Sequence, residues 1–81
     1  MSRIKRITMS NLPLEQRPVG ANTLFEKVRG DMAEFGDSIN ITDFLGALLE
    51  LQKEQALVFF GDKADQPIIA TQYGFRIYGT N

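Results

Sequence analysis

The chain has 81 residues, of which 43% are apolar, a composition typical of one small globular domain and not of a disordered segment. It contains no cysteine and no histidine, which excludes disulfides, cysteine-ligated metals and the commonest acid–base group of enzymes. The formal net charge is −1, unlike that of a strongly basic nucleic-acid-binding domain.

The first 21 residues are interpreted as a basic arm followed by a connector. Residues 1–20 carry four basic side chains and one acidic one, whereas residues 21–81 carry five basic and nine acidic ones. Residues 3–9 match neither helical nor strand periodicity, so we expect either a short edge strand or a flexible arm. The prolines and glycine of residues 10–20 predict the connector. Arg3, Lys5 and Arg6 are the candidates for a weak nucleic-acid contact.

A first helix is predicted from Asn22 or Thr23, either of which can cap it, to a stop at Gly36. The alternation of polar and apolar residues at 38–41 predicts a very short strand. A second helix is predicted over residues 42–55, with Thr42 as its cap. This second helix gives the clearest helical signal in the chain, because leucines and a phenylalanine repeat along it at helical spacing.

The apolar residues of the second helix cover two adjoining faces. Phe44 and Leu48 lie on one face, and Leu45 and Leu49 lie about 100° further around the helix. A domain this small cannot bury both faces fully. We expect Leu45 and Leu49 to form the core, and Phe44 and Leu48 to stay partly exposed and to contact a partner.

A β-hairpin is predicted at the carboxy-terminal end. Residues 56–60 and 68–72 have strand composition, the polar segment 61–67 separates them, and the strand continues or restarts through 73–78. Phe60, Tyr73 and Phe75 of this sheet are further partner-contact candidates. The predicted fold class is α+β, an abbreviated winged-helix-like domain over 22–81 with two main helices and an antiparallel hairpin. A third helix is missing unless the amino-terminal segment supplies it.

The sequence indicates no catalytic chemistry, metal or cofactor. Three serines have no candidate base nearby, and there is no phosphate-binding loop, zinc spacing or dinucleotide fingerprint. Asp62 and Asp65 are better explained as turn formers than as calcium ligands. The longest apolar stretches are too short to span a bilayer, which favours a cytoplasmic or nuclear protein. We therefore expect a binding module and not an enzyme.

The segments TLFEKVRGDM, INITDFLGALLELQKEQALVFF and DQPIIAT resemble the carboxy-terminal winged-helix domain of kleisins, over about residues 23–72. Kleisins close the ring of SMC chromosome complexes such as cohesin and condensin. The resemblance implies a protein–protein role in chromosome condensation, in which the domain docks on the ATPase head of an SMC partner. Phe44 and Leu48 match the docking positions of the family.

Two other functions remain open at this point. The chain is alternatively a stand-alone adaptor or inhibitor with a winged-helix-like fold, including as a homodimer. It is otherwise a nucleic-acid-binding regulator that uses the basic arm. Direct DNA binding by the second helix is not expected, because residues 42–55 carry three acidic side chains against one lysine.

Overall fold

The computed structural model describes residues 2–13, 19–59 and 67–70. In these residues the chain is a small α+β domain with three helices and three short strands, so the predicted α+β class is confirmed. The elements, in chain order, are α1 (Arg3–Ser10), β1 (Val19–Gly20), α2 (Ala21–Glu34), α3 (Ile41–Lys53), β2 (Leu57–Phe59) and β3 (Pro67–Ala70).

The amino-terminal segment is a helix, so the prediction of an edge strand or a flexible arm is wrong. The side chain of Ser2 caps α1 by accepting a hydrogen bond from the backbone N–H of Lys5 at 3.3 Å. Ile4 and Ile7 pack against the core, and Thr8 and Leu12 beside them are buried. This spacing of three to four residues is helical, and it places these side chains on the side of the chain that packs against the core.

Helix α1 belongs to the packed domain and contacts both α2 and α3. The buried hydroxyl of Thr8 is satisfied within the helix, because it donates to the carbonyl oxygen of Ile4 at 2.7 Å. The Asn11 side-chain amide donates to Asp31 of α2 at 2.9 Å. Helix α1, which lies within the predicted arm, is therefore a third helix that packs on α2 and α3.

Helix α2 starts one residue before the predicted region and ends where Gly36 was expected to stop it. Gly36 adopts φ +80°, a left-handed conformation that is unfavourable for residues with a Cβ atom. The backbone N–H of Gly36 donates to Ala33 at 2.9 Å, and that of Asp37 donates to Met32 at 3.0 Å. These two bonds satisfy carbonyl groups that the helix end would otherwise leave unpaired.

Alanine at Gly36 and alanine at Gly30 are expected to change stability in opposite directions. Gly36→Ala should lower the free energy of unfolding by about 1–2 kcal/mol, because alanine is strained at a positive φ. Gly30→Ala, within α2, should raise it by about 0.5–1 kcal/mol. At neither position does an added Cβ meet an atom within 4 Å, so packing does not bias the comparison. Urea unfolding measures both, and equal signs would contradict this account.

Helix α3 begins two residues earlier than its predicted cap allows. Asn40, and not Thr42, is the N-cap residue, and its side chain accepts from the backbone N–H of Asp43 at 2.8 Å. The Asp43 carboxylate accepts in return from the backbone N–H of Asn40 at 3.2 Å, which completes a capping box. This capping replaces the short strand predicted at 38–41, since residues 37–40 have no regular structure and Ile41 is already helical.

The three strands form one antiparallel sheet in the order β1-β3-β2. Strand β2 pairs with β3 in the register Leu57 with Ala70 and Phe59 with Ile68, so the predicted antiparallel pairing of these two regions is confirmed. Strand β1 lies on the other side of β3, with Val19 opposite Ile68. The sequence reading placed a connector at Val19 and Gly20, and it therefore missed this third strand. Of the predicted loop at 61–67, residues 61–66 lie outside the described residues and Pro67 belongs to β3; the predicted strand at 73–78 also lies outside them.

The core lies where the three helices meet the sheet. Its fully buried apolar side chains come from α2, α3 and β2, and the rings of Phe25 and Phe44 are in contact at a tilt of 49°, with centroids 5.2 Å apart. Residues of α1 and β1 close the cluster from the remaining sides. The buried apolar residues are Leu12, Ala21, Leu24, Val28, Met32, Phe44, Ala47, Leu48, Leu51 and Leu57.

Candidate functional site

The inner face of α3 includes Phe44 and Leu48, the two residues of this helix that were predicted to contact a partner. Phe44 is 0% exposed and Leu48 is 1% exposed, and Ala47 and Leu51 are buried beside them. The prediction that Phe44 and Leu48 stay partly exposed is wrong. Both are core residues in the isolated chain, and a partner cannot reach them without unfolding of α3 from the domain.

Position along the helix explains this assignment. Phe44, Ala47, Leu48 and Leu51 follow the spacing i, i+3, i+4, i+7, which gives a continuous face over two helical turns. The side with Leu45 and Leu49 also includes Ile41, but the position seven residues after Leu45 is the polar Gln52, so this side has no complete i, i+3, i+4, i+7 apolar set. The sequence prediction did not count Ala47, which extends the apolar face that includes Phe44 and Leu48. A small apolar residue extends a core face without adding much hydrophobic surface, so it is easily overlooked.

The outer ridge of α3, defined as Ile41, Leu45 and Leu49, is exposed. These residues are spaced four apart and retain 45%, 42% and 53% of their accessible surface. The prediction that Leu45 and Leu49 form the core is therefore also wrong. Beside the ridge lie the exposed, uncharged residues Thr42, Gly46 and Gln52, and the exposed Lys53 follows Leu49 one turn later. The ridge is thus a continuous, half-exposed aliphatic surface along one side of α3.

The Lys5 side chain connects α1 to α3 on a side of α3 that does not include the outer ridge. Its side chain is 11% exposed, and its ammonium group donates to Glu50 at 3.3 Å and to Glu54. The hydrogen bond to Glu54 is the main cause of a raised pKa for Lys5, and Glu50 raises the pKa further, while burial opposes both. Glu50 lies about 140° around the helix from Leu45, so α1 leaves the ridge uncovered.

Two of the three basic residues that were proposed to contact nucleic acid form ion pairs within the domain. Arg3 forms an ion pair with Asp37 at 2.7 Å, and its guanidinium lies 4.8 Å from the centre of the Phe35 ring. Lys5 is buried between two carboxylates. Arg6 is exposed. The positive charge of α1 is therefore largely neutralised by acidic groups of the same domain, which weakens its attraction for phosphate.

A shallow groove of about 480 Å³ separates the start of α1 from α3. Thr42 and Gly46 of α3 form one wall, Arg3 and Ile4 form the other, and Met32 lies at the base. The groove borders the outer ridge, because Thr42 and Gly46 also flank Leu45 and Leu49. The solvent side of α3 therefore has a groove next to the outer ridge.

The predicted partner residues Phe60, Tyr73 and Phe75 lie outside the described residues, as do Asp62 and Asp65. Among the residues that are described, no group of three acidic side chains could hold a metal ion. None of the helices in the same part of the chain has the length and apolar character required to cross a membrane. Comparisons with protein-family models, with curated proteins and with solved structures found no match.

Proposed function

We propose that this chain is a protein-binding module whose binding surface is the solvent side of α3. The observation that carries the proposal is the outer ridge, in which Ile41, Leu45 and Leu49 are exposed next to one another on a capped helix. Three aliphatic side chains four residues apart are the pattern with which a helix enters an apolar groove of another protein. Phe35, the only other large apolar residue that is markedly exposed in the described part of the chain, has Arg3 stacked on its ring.

The order of elements supports a winged-helix assignment. Three helices and three strands alternate as α1-β1-α2-α3-β2-β3, and the last two strands pair antiparallel. In DNA-reading domains built on a helix-turn-helix, the helix equivalent to α3 enters the major groove with basic and amide side chains. Here that helix offers aliphatic side chains, and Lys53 is its only basic residue. The same position in the fold is therefore suited to a protein surface.

From the resemblance to kleisins, we propose that the partner is the ATPase head of an SMC protein. The docking positions of the family were matched to Phe44 and Leu48, and both residues are buried in the core. We therefore propose that the docking contacts are made by the adjoining residues Leu45 and Leu49. Phe60, Tyr73 and Phe75 remain proposed additional contacts from the sheet. The runner-up function is a stand-alone adaptor or inhibitor that uses the same ridge on a different protein.

Lysine at both ridge leucines is expected to abolish binding and leave folding intact. Leu45→Lys with Leu49→Lys should weaken affinity for the SMC ATPase head of the same organism by at least about 100-fold, because burying each leucine contributes about 1.5–3 kcal/mol. Exposed positions tolerate such changes within about 0.5–1 kcal/mol of stability. Isothermal titration measures the affinity, and thermal unfolding of the free chain measures the stability.

The matched control adds the same two charges elsewhere. Thr23→Lys with Ala33→Lys places two lysines at exposed positions of α2 and should bind as the unmodified chain does. If both double variants bind equally well, the ridge is not the docking surface. If neither the variants nor the unmodified chain binds the head, the partner is a different protein and the adaptor reading takes its place.

A further inference from the structure

We infer that α1 is a detachable latch, fastened to the rest of the domain by ion pairs, which opens with rising ionic strength while α2, α3 and the sheet stay folded. Such a latch regulates the domain whatever partner binds the outer ridge. Among the described residues, the ion pairs that join different parts of the chain all include a side chain of α1. Arg3 pairs with Asp37, and Lys5 pairs with Glu50 and Glu54.

Helix α1 contributes less apolar burial than the other two helices. Ile4, Ile7 and Met9 are only partly buried, whereas the fully buried apolar side chains come from α2, α3 and β2. Thr8 of α1 is fully buried, but its hydroxyl donates to the Ile4 carbonyl oxygen of the same helix and keeps this hydrogen bond when α1 separates. Because apolar burial is the main force that holds packed elements together, α1 should separate at a lower free energy than α2 or α3.

The ion pairs of α1 are accessible to dissolved salt. The side chains of Asp37, Glu50 and Glu54 are 43%, 66% and 48% exposed. Lys5 is shielded, but both of its partners face water, and the groove between α1 and α3 brings solvent to Arg3, Lys5 and Glu50. Salt screens exposed charges, since the screening length falls from about 10 Å at 0.1 M to about 3 Å at 1 M. Added salt should therefore weaken the attachment of α1 without weakening the apolar core.

The opening stays local because the strand that follows α1 is held by the sheet. Strand β1 pairs with β3, with Val19 opposite Ile68, and α2 begins directly after β1. Separation of α1 therefore breaks none of the strand pairing. It removes one wall of the groove, in which Met32 and Ala47 supply apolar surface. The latch thus sets how much apolar surface the domain offers next to the outer ridge.

Native-state hydrogen exchange of the unmodified chain at fixed pH, in about 0.05 M and about 0.5 M sodium chloride, is the first test. The backbone N–H groups of Arg6 and Asn11, which are bonded within α1, should exchange at least about threefold faster at high salt. The backbone N–H of Val28, in the middle of α2, should exchange at an unchanged rate. Equal protection of the two helices, or an equal response to salt, would show that α1 opens only with the whole domain and would overturn the latch.

Substitution of two carboxylates that hold α1 tests the role of the ion pairs. Asp37→Asn with Glu54→Gln removes the charged partner of Arg3 and one of the two partners of Lys5, and Glu50 remains to pair with Lys5. Exchange in α1 should become at least about threefold faster at low salt and should lose most of its response to added salt. A variant with the exchange rates and salt response of the original chain would contradict attachment by ion pairs.

The matched control removes the same charge from exposed positions of α2. Glu26→Gln with Glu34→Gln should leave exchange in α1 unchanged, and an effect equal to that of the first double variant would overturn the latch. Thiol labelling is an independent measurement, since the chain has no cysteine. Thr8→Cys and Val28→Cys each place a thiol at a fully buried position. The reagent should modify the Thr8→Cys chain faster, by a ratio that grows with salt, and equal rates would show a single opening of the whole domain.

Discussion

Replacing Phe44 by alanine is expected to lower the free energy of unfolding by about 3–5 kcal/mol, a large part of the total for a domain of this size. Phe44 is completely buried, and its ring contacts that of Phe25 in a tilted arrangement between α2 and α3. Truncation leaves a cavity that close-packed neighbours fill only in part. Leu48→Ala should cost about 2–5 kcal/mol for the same reason.

Alanine at the adjoining positions is the matched control. Leu45→Ala and Leu49→Ala remove the same number of atoms as Leu48→Ala, but from exposed sites, and should each change stability by less than about 0.5–1 kcal/mol. Urea unfolding, followed by circular dichroism, measures all four variants. A larger loss for Leu45→Ala than for Leu48→Ala would reverse the assignment of the two faces of α3.

Removing both carboxylates around Lys5 is expected to destabilise the domain more than removing Lys5 itself. Glu50→Gln with Glu54→Gln leaves a buried ammonium group without a charged partner, and an uncompensated buried charge is costly. Lys5→Met keeps the packing of the aliphatic stem and leaves two carboxylates that are 66% and 48% exposed, so water can solvate them.

The exposed pair Glu26–Arg29 provides the control for this comparison. Both of its side chains are more than half exposed, and Glu26→Gln should change stability by less than about 0.5 kcal/mol. Thermal unfolding at pH 7 ranks the three variants. If the double glutamine variant is as stable as the original chain, Lys5 is solvated in solution and does not fasten α1 to α3.

The pH dependence follows from the raised pKa of Lys5. A lysine whose pKa is higher in the folded state contributes stability that is fully present below its ordinary value of 10.5 and is lost as the pH rises through the folded value. The original chain should therefore lose its stability advantage over Lys5→Met as the pH is raised beyond 10.5. An advantage that grows in this range would contradict the ion pair.

Local signals in the sequence determined part of this fold. The periodic leucines of α3, the stop at Gly36 and the antiparallel pairing of the β2 and β3 regions were all predicted, because each depends on residues close together in the chain. The α+β class followed from these elements. The boundaries of α3 differ by only one or two residues from those predicted, which is the usual uncertainty of helix ends.

Tertiary structure decided the remainder, including the candidate site. Residues 3–9 become helical because Ile4 and Ile7 are needed against the core, and Val19 becomes a strand residue only by pairing with Ile68. The two apolar faces of α3 have similar hydrophobicity, so composition alone could not tell which one is buried. The packing of α1, α2 and the sheet selected the face with Phe44 and Leu48, and this left Leu45 and Leu49 exposed.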